Sequence, residues 1–199
     1  MALYYADASA LVRLVRDEPE SDALRAFLTD ADLVSSELVL TEVPRAIRRV
    51  AARDPRLALD ILMTRAGEIV EAVALLPLDR AILLAAGALT EPALRALDAI
   101  HIAAAIDLSP VDGFVTYDER QAAAARLAGL RTIAPGAWGG WKAEPRPDPP
   151  AATNAARTSI WRRVAGARVR PASGRGFRAQ RGSDPWAIRG RSYGYPLPG

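Results

Sequence analysis

Apolar residues recur along the first two thirds of the chain in two alternating patterns. Short runs rich in β-branched and aromatic residues predict strands, at residues 3–6, 33–35, 70–75, 113–116 and 131–133. Longer stretches rich in strong helix formers predict helices, at residues 9–16, 20–29, 37–53, 55–66, 79–88, 98–108 and 119–128. Strands that alternate with helices predict an α/β fold in which helices flank a central, mostly parallel sheet.

Individual residues support some of these boundaries. Asp79 suits a helix start and Gly129 suits a helix end. A short turn or helix follows Pro92, and we expect Leu94 and Leu97 to pack in the core from there.

The distribution of charge divides the chain near Trp141. Residues 1–142 carry 15 basic and 20 acidic side chains, whereas residues 143–199 carry 11 arginines and only three acidic side chains. The last 57 residues also contain eight prolines and seven glycines, with only six Leu, Ile, Val and Phe. A segment of this composition buries too little apolar surface to offset the entropy of ordering it. We therefore predict one domain at residues 1–136 and a disordered basic tail at residues 137–199.

Two interpretations of the tail stay open. Its arginines and aromatic residues would attach RNA by charge and stacking. Alternatively, the tail is an unselected extension, and residues from Ala143 onward are dispensable for catalysis. We favour the second interpretation because no motif appears in the tail.

Several classes of protein are excluded or disfavoured by composition. The chain has no cysteine, which excludes disulfides, thiolate zinc sites and cysteine nucleophiles. No signal peptide is apparent, and no apolar run approaches the roughly 18 residues of a membrane helix. We expect a cytoplasmic protein without a membrane partner.

Four acidic residues stand where an α/β fold can bring them to one edge of the sheet. Asp7 and Asp118 each follow a predicted strand, and open α/β sheets bind ligands at the carboxyl ends of their strands. Glu42 lies within a predicted helix and Asp98 opens another. Singly, Asp98 or Asp118 would be explained as a helix cap and Glu42 as a solvated residue. Apolar neighbours argue against that, because a buried charge is costly unless it is paired or bound to a cation.

These residues also carry a family resemblance. Four segments resemble the motifs of PIN-domain ribonucleases, and their order and spacing are most similar to VapC toxins of bacterial type II toxin–antitoxin modules. The segments are residues 5–12 (YADASALV), 42–49 (EVPRAIRR), 97–105 (LDAIHIAAA) and 115–120 (VTYDER). The resemblance covers about residues 1–136. It implies a PIN-like fold, RNA hydrolysis that leaves a 5′-phosphate, a homodimer, and a small cognate antitoxin as partner.

A pocket of four carboxylates requires divalent cations, and oxygen ligands suit Mg²⁺ or Mn²⁺. Such ions would activate a water for in-line attack on a phosphodiester. We expect Asp7, Glu42, Asp98 and Asp118 to be the catalytic and metal-binding residues. Further residues are predicted around them: Ser9 and Thr116 as hydroxyls that orient carboxylates or water, and Arg45, Arg49 and Arg120 as RNA contacts.

Two residues near these motifs have a functional and a structural interpretation. His101 lies one turn after Asp98 on the same helix face. A general base is one interpretation; we favour a packed residue that hydrogen-bonds locally. Tyr117, like Arg120, either lines the site or belongs to the ordinary surface.

Two other classes of function compete with the nuclease. A PIN-fold RNA-binding protein without catalysis would require the loss of an acidic residue, and all four are present. A phosphatase with Asp7 as covalent nucleophile is the third class. Such enzymes resemble Asp-x-Asp at the first strand end, and Asp7-Ala8-Ser9 lacks the second aspartate.

Overall fold

The computed structural model describes residues 2–137. Five strands are present: β1 (Ala2–Ala6), β2 (Ala31–Ser36), β3 (Ala74–Leu76), β4 (Gly113–Val115) and β5 (Thr132–Ile133). Seven helices alternate with them: α1 (Ala8–Val15), α2 (Ser21–Leu28), α3 (Val39–Ala51), α4 (Leu59–Ala72), α5 (Arg80–Gly87), α6 (Ala96–Leu108) and α7 (Glu119–Leu127). The predicted tail lies outside the described residues, except for Ala137.

The five strands form one sheet in the order β3-β2-β1-β4-β5, and every pairing is parallel. The α/β prediction is thereby confirmed. The chain builds β1, β2 and β3 outward to one side, and then crosses to add β4 and β5 on the other. The strand order therefore reverses between β1 and β4. In an open α/β sheet, the crevice beyond the carboxyl ends of two such strands is the usual place for a ligand.

Side chains of the central strand alternate between two buried layers. Leu3 and Tyr5 point into the layer that α5, α6 and α7 cover. Tyr4 and Ala6 point into the layer covered by α1, α2, α3 and α4. This alternation follows from the two-residue period of a strand, and burial on both faces explains why β1 is almost wholly apolar. Among residues 2–137, no helix is both long and apolar enough to cross a membrane.

The boundary between α4 and β3 differs from the prediction. The apolar run 70–75 was expected to be a strand, but α4 continues to Ala72 and β3 occupies only Ala74–Leu76. Ala66, Ile69 and Val73 are buried at three- and four-residue spacing, as on one helix face. A short apolar run does not distinguish a strand from the end of a buried helix, and the prediction was wrong there.

Helix α6 also begins earlier than predicted. It starts at Ala96, so Asp98 lies within its first turn and does not open it. Leu94 packs against the core as expected, whereas Leu97 is 45% exposed and its prediction was wrong. Leu97 lies two residues before the buried Ala99 on the same helix, and residues two apart point to nearly opposite sides of a helix.

Candidate active site

Asp7 follows β1 immediately and is the N-cap of α1. Its Oδ1 accepts hydrogen bonds from the Ser9 hydroxyl at 2.7 Å and from the Ala10 N–H at 3.0 Å. Its own N–H continues the sheet by donating to the Val115 carbonyl at 3.1 Å. The residue is only 5% exposed. The central strand and the helix it feeds therefore fix this carboxylate, as predicted from its position at a strand end.

Thr116 connects Asp7 with the neighbouring strand end. Its fully buried hydroxyl oxygen lies 3.1 Å from Asp7 Oδ2 and 2.7 Å from Gln121 Oε1, and it accepts from the Asp118 N–H at 3.2 Å. A hydroxyl has one hydrogen, so Thr116 donates to one of the two oxygens at a time. The Ser9 hydroxyl also accepts from the Tyr117 N–H. Both predicted hydroxyl residues thus contact Asp7.

Asp118 repeats the role of Asp7 at the end of β4. It is the N-cap of α7, and its Oδ1 accepts from the N–H groups of Arg120 at 2.9 Å and Gln121 at 3.1 Å. Within residues 2–137, no group donates to Oδ2. The exposed Arg120 guanidinium lies 3.9 Å from Oδ1, which places it at the rim of the site.

Glu42 is held by a side chain from another helix and not by backbone N–H groups of its own helix. It lies in the first turn of α3, and its Oε2 is 2.7 Å from Nε2 of His101. The other ring nitrogen of His101, Nδ1, is 2.9 Å from the Tyr5 hydroxyl. His101 is 1% exposed, so our interpretation of a packed residue agrees with the structure. Both partners are distant in sequence, however, so the expectation of local hydrogen bonds was wrong.

Asp98 has no such partner. Among the described residues, no group donates to its carboxylate, and only its main-chain oxygen accepts, from the Gln121 side chain at 3.4 Å. Burial raises the pKa of Asp98, and the negative charges of Asp118, Asp7 and Glu42 raise it further, against the opposing charge of Arg95. The carboxylates of Asp118, Asp7 and Glu42 therefore all lie within electrostatic reach of Asp98.

Burial acts on the pKa of Asp7 in the same direction as on that of Asp98. Burial raises the pKa of Asp7, while the charge that His101 carries when protonated and the hydrogen bonds from Ser9, Ala10 and Thr116 act in the opposite direction. When ionised, Asp7 is a charged group in a place where water is scarce. Such a group gains from a cation close by.

The four carboxylates share one property. In Asp7, Glu42 and Asp118, one carboxylate oxygen makes most or all of the hydrogen bonds to residues 2–137, and the other makes few or none. Neither carboxylate oxygen of Asp98 accepts a hydrogen bond from this part of the chain. Even so, no three His, Asp or Glu side chains in this part of the chain are close enough to hold one ion together. Shared ligation therefore requires side-chain rotation or bridging waters.

The predicted RNA contacts lie on the protein surface. Arg45 and Arg49 are exposed on α3, the helix that carries Glu42, and neither has an acidic partner within ion-pair distance among residues 2–137. Tyr117 is partly buried: its hydroxyl donates to the Pro135 carbonyl at 2.8 Å, and the Arg13 guanidinium lies 4.1 Å from its ring centre. Tyr117 therefore connects the chain after β5 to the surroundings of Asp7, which differs from an ordinary surface position.

Two residues of the site were missed by the sequence prediction. Gln121 is fully buried and links Thr116 to the backbone of Asp98. Its place three residues after the Asp118 cap matches the spacing of a capping box, which was a usable signal. Tyr5 gave no signal, because an aromatic residue in a central strand is ordinarily core.

Comparisons with known proteins point to one family. The PIN domain model matches residues 4–127. Among curated relatives from Mycobacterium tuberculosis, Ribonuclease VapC46 (strain ATCC 25618 / H37Rv) is 41% identical over 143 residues, which cover 68% of this chain and 99% of the relative. Ribonuclease VapC35 (strain CDC 1551 / Oshkosh) is 36% identical over 67% of this chain and 98% of the relative. Ribonuclease VapC47 of the same strain is 33% identical, with 68% and 98% coverage. The chain therefore belongs to the PIN-domain family and is VapC-like.

Proposed function

We propose that this protein is a Mg²⁺- or Mn²⁺-dependent endoribonuclease and the toxin of a type II toxin–antitoxin module. The names of its relatives support RNA as the substrate, because the match spans nearly the whole length of each of those ribonucleases. The proposal assigns catalysis and metal binding to Asp7, Glu42, Asp98 and Asp118.

One observation carries the metal dependence. Asp98 is partly buried, receives no hydrogen bond from residues 2–137, and stands in the combined field of three other carboxylates. Among the main influences on its pKa from residues 2–137, Arg95 alone favours the charged form. Carboxylate oxygens are the ligands that hard divalent cations prefer, so this donor set fits Mg²⁺ or Mn²⁺.

The chemistry divides between the ion and the chain. When bound, the ion neutralises charge on the phosphate and lowers the pKa of a coordinated water. The chain supplies the carboxylates that hold it, and Ser9 and Thr116 keep Asp7 oriented through their hydroxyls. The attacking water oxygen forms a bond to phosphorus as the bond to the 3′-oxygen breaks. The products are a 3′-hydroxyl and a 5′-phosphate, and no side-chain nucleophile is used.

RNA binding needs cations outside the acidic site. Residues 2–137 contain 14 arginines and 20 acidic residues, so the domain does not attract RNA by its net charge. Arg45 and Arg49 on α3 and Arg120 at the start of α7 flank the carboxylates and are exposed. We assign them to the phosphates of the RNA, because arginine pairs well with phosphate oxygens.

A cleavage assay tests the enzyme. Purified protein should cut RNA with Mg²⁺ or Mn²⁺ and stop when EDTA is added. Asp98→Asn keeps the shape of the side chain and should lower the rate at least a hundredfold, because it removes a ligand charge. Asp60→Asn is the matched control, since Asp60 also lies in the first turn of a helix but is exposed on α4. Full activity in Asp98→Asn would overturn the site.

The same assay decides between the nuclease and the catalytically silent RNA-binding protein. A silent protein would bind RNA in a filter assay and leave it intact in every metal. An aspartyl-phosphate enzyme would instead release phosphate from small phosphomonoesters and lose that activity in Asp7→Asn.

The partners require a separate experiment. We infer a small antitoxin encoded beside this protein and a homodimeric toxin, as for the family that it resembles. Expression of the protein alone should arrest growth, and coexpression of the adjacent small gene product should restore it. Sedimentation of the purified complex reports the stoichiometry. A protein that is harmless when overexpressed, and inactive on RNA, would contradict the toxin assignment.

A further inference from the structure

We propose that His101, itself held by Tyr5, is a positioning residue that fixes Glu42 for metal binding. This inference rests on the proposed function and extends it to two residues outside the carboxylate set. The hydrogen bonds run from the Tyr5 hydroxyl to His101 Nδ1 at 2.9 Å and from Nε2 to Glu42 Oε2 at 2.7 Å. They join β1, α6 and α3.

Within residues 2–137, Glu42 lacks the backbone support that holds Asp7 and Asp118. Asp7 and Asp118 are N-caps, and the N–H groups of their own helices hold them. Glu42 has a longer side chain with more rotamers, and no backbone N–H among residues 2–137 donates to its carboxylate. Without the imidazole it would sample several directions. The bond to Oε2 fixes one oxygen, while Oε1 has no donor within the described chain.

The partners decide which ring nitrogen carries a hydrogen. An ionised carboxylate only accepts hydrogen bonds, so Nε2 of His101 must donate to Glu42. When the ring is neutral, Nδ1 accepts and the Tyr5 hydroxyl donates to it. Glu42 thus selects the tautomer, and the Tyr5 hydroxyl, which can donate as well as accept, completes the hydrogen bonding of the ring on its other side.

The surroundings of this pair leave the imidazole little freedom. Tyr5 is fully buried, and its ring stacks on Phe114 with 5.4 Å between centroids and 7° between planes. The ring of His101 meets Tyr5 edge-on at 5.8 Å and 74°. Rotation of the imidazole would break both hydrogen bonds inside the core, where unpaired polar groups are costly. The ring is therefore a rigid support for Glu42.

A purely structural role makes a different prediction. If the hydrogen bonds only satisfied polar groups in the core, their removal would lower stability and leave the metal affinity of the folded fraction unchanged. If His101 positions Glu42, the metal affinity falls in protein that is still folded. Loss of such a supporting partner lowers metal affinity by about 10- to 100-fold in other metalloproteins.

Nuclear magnetic resonance tests the hydrogen-bond arrangement directly. The chain contains one histidine, so protein without a histidine tag gives a single set of imidazole signals. Long-range ¹H–¹⁵N correlation of the full-length protein at neutral pH should show the hydrogen on Nε2 in the metal-free state. A neutral ring with its hydrogen on Nδ1 would overturn the inference.

Three variants test the consequence for the site, with Mn²⁺ alone as the probe in calorimetry. His101→Ala should weaken Mn²⁺ binding about tenfold or more. His101→Gln keeps an N–H donor at similar reach and should recover part of that loss. Tyr5→Phe removes only the hydroxyl, preserves the stacked ring, and should give a smaller loss in the same direction. In RNA cleavage the variants should lower kcat more than they raise KM, because the RNA-binding arginines are untouched.

Failure of this inference differs from failure of the proposed function. If the wild-type protein neither binds Mn²⁺ nor cleaves RNA, the proposed function is wrong. If the wild-type does both and the folded variants match its Mn²⁺ affinity and kcat, only the positioning role is wrong. Should His101→Ala fail to fold, Tyr5→Phe and His101→Gln still decide the question, with circular dichroism as the check on folding.

Discussion

The carboxyl edge of the sheet and the two layers that cover its faces are built from different residues. The layers are almost entirely aliphatic and aromatic. Seven polar or charged residues are buried in the described chain, and all but Ser21 lie at or against the carboxyl edge: Asp7, Ser35, Ser36, His101, Thr116 and Gln121. Burial of polar groups costs stability unless each finds a partner. The domain accepts that cost in one place, so stability and function can be tested separately.

The largest expected effect on stability lies in a layer far from the carboxylates. Leu24 on α2 is fully buried, and Leu24→Ala should lower the free energy of unfolding by about 2–5 kcal/mol. Leu84→Ala removes the same atoms from a residue that is 63% exposed and should change it by less than about 0.5 kcal/mol. Urea denaturation measures both. RNA cleavage per folded molecule should be unchanged in Leu24→Ala, and a specific loss there would contradict the separation.

A smaller loss of stability is expected at the polar edge. Thr116→Val conserves volume but removes the acceptor of the Asp118 N–H and the donor to Asp7 or Gln121. Unpaired buried groups cost about 1–3 kcal/mol, and cleavage should fall as well. Thr64→Val is the control, because the hydroxyl of Thr64 is exposed and bonds only to Asp60 within its own helix. Equal stability of the two variants would show that the Thr116 hydroxyl does not organise the edge.

A still smaller effect of opposite sign is expected at Asp98. Its pKa is raised in the folded protein above the ordinary value of 3.8, mainly by burial. The protonated form is therefore favoured by folding, so stability from this group is fully present below pH 3.8 and is lost as pH rises through the raised pKa. In EDTA at neutral pH, Asp98→Asn should unfold at a higher temperature than the wild-type protein.

The pH dependence of the melting temperature separates the effect of Asp98→Asn from a general effect of removing a charge. The gain in melting temperature should shrink as the pH is lowered toward 3.8, where the carboxyl of the wild-type protein becomes neutral as well. Asp60→Asn should show no comparable gain at any pH. If Asp98→Asn instead melted at a lower temperature than the wild-type protein at neutral pH, the negative charges of the carboxylates would already be balanced without metal.

The smallest effect concerns the exposed arginines beside the edge. The double variant Arg45→Ala/Arg49→Ala should have an unchanged free energy of unfolding and should bind RNA several-fold more weakly. On single-stranded RNA, the slope of log affinity against log salt should fall by about 0.7 for each phosphate that these arginines neutralise in the wild-type protein. Arg56→Ala is the matched control, since Arg56 is exposed but paired with Asp54. An unchanged salt slope in the double variant would remove α3 from the RNA-binding surface.

Sequence patterns predicted the layers better than the edge. The alternation of strands and helices and the parallel sheet followed from periodicity, because one buried face imposes a regular spacing. The four carboxylates were also placed on the correct elements. Two of them could be placed because they follow predicted strands. The end of α4 was misassigned because apolar residues such as Ile69 and Val70 suit a buried helix as well as a strand. Tertiary packing settles such a boundary.

The hydrogen bonds of the edge were only partly predictable. Ser9 is near Asp7 in sequence, and its contact could be anticipated. The Tyr5–His101–Glu42 contacts join residues 59 and 96 positions apart, and no local spacing encodes them. Which oxygen of each carboxylate faces a protein donor depends on the crossing of helices and strands. That information appears only when β1, α3 and α6 are placed together.

The central position of β1 has a consequence for synthesis of the chain. β1 leaves the ribosome first, yet its partner β4 follows about a hundred residues later, since Thr116 and Asp7 are 109 positions apart. At about 5–20 residues per second, that interval is on the order of 10 s. During this time the nascent polypeptide carries Asp7 without Thr116 or Asp118. A ribosome-bound fragment therefore has no complete carboxylate set, and any nuclease activity begins only after nearly the whole domain has been translated.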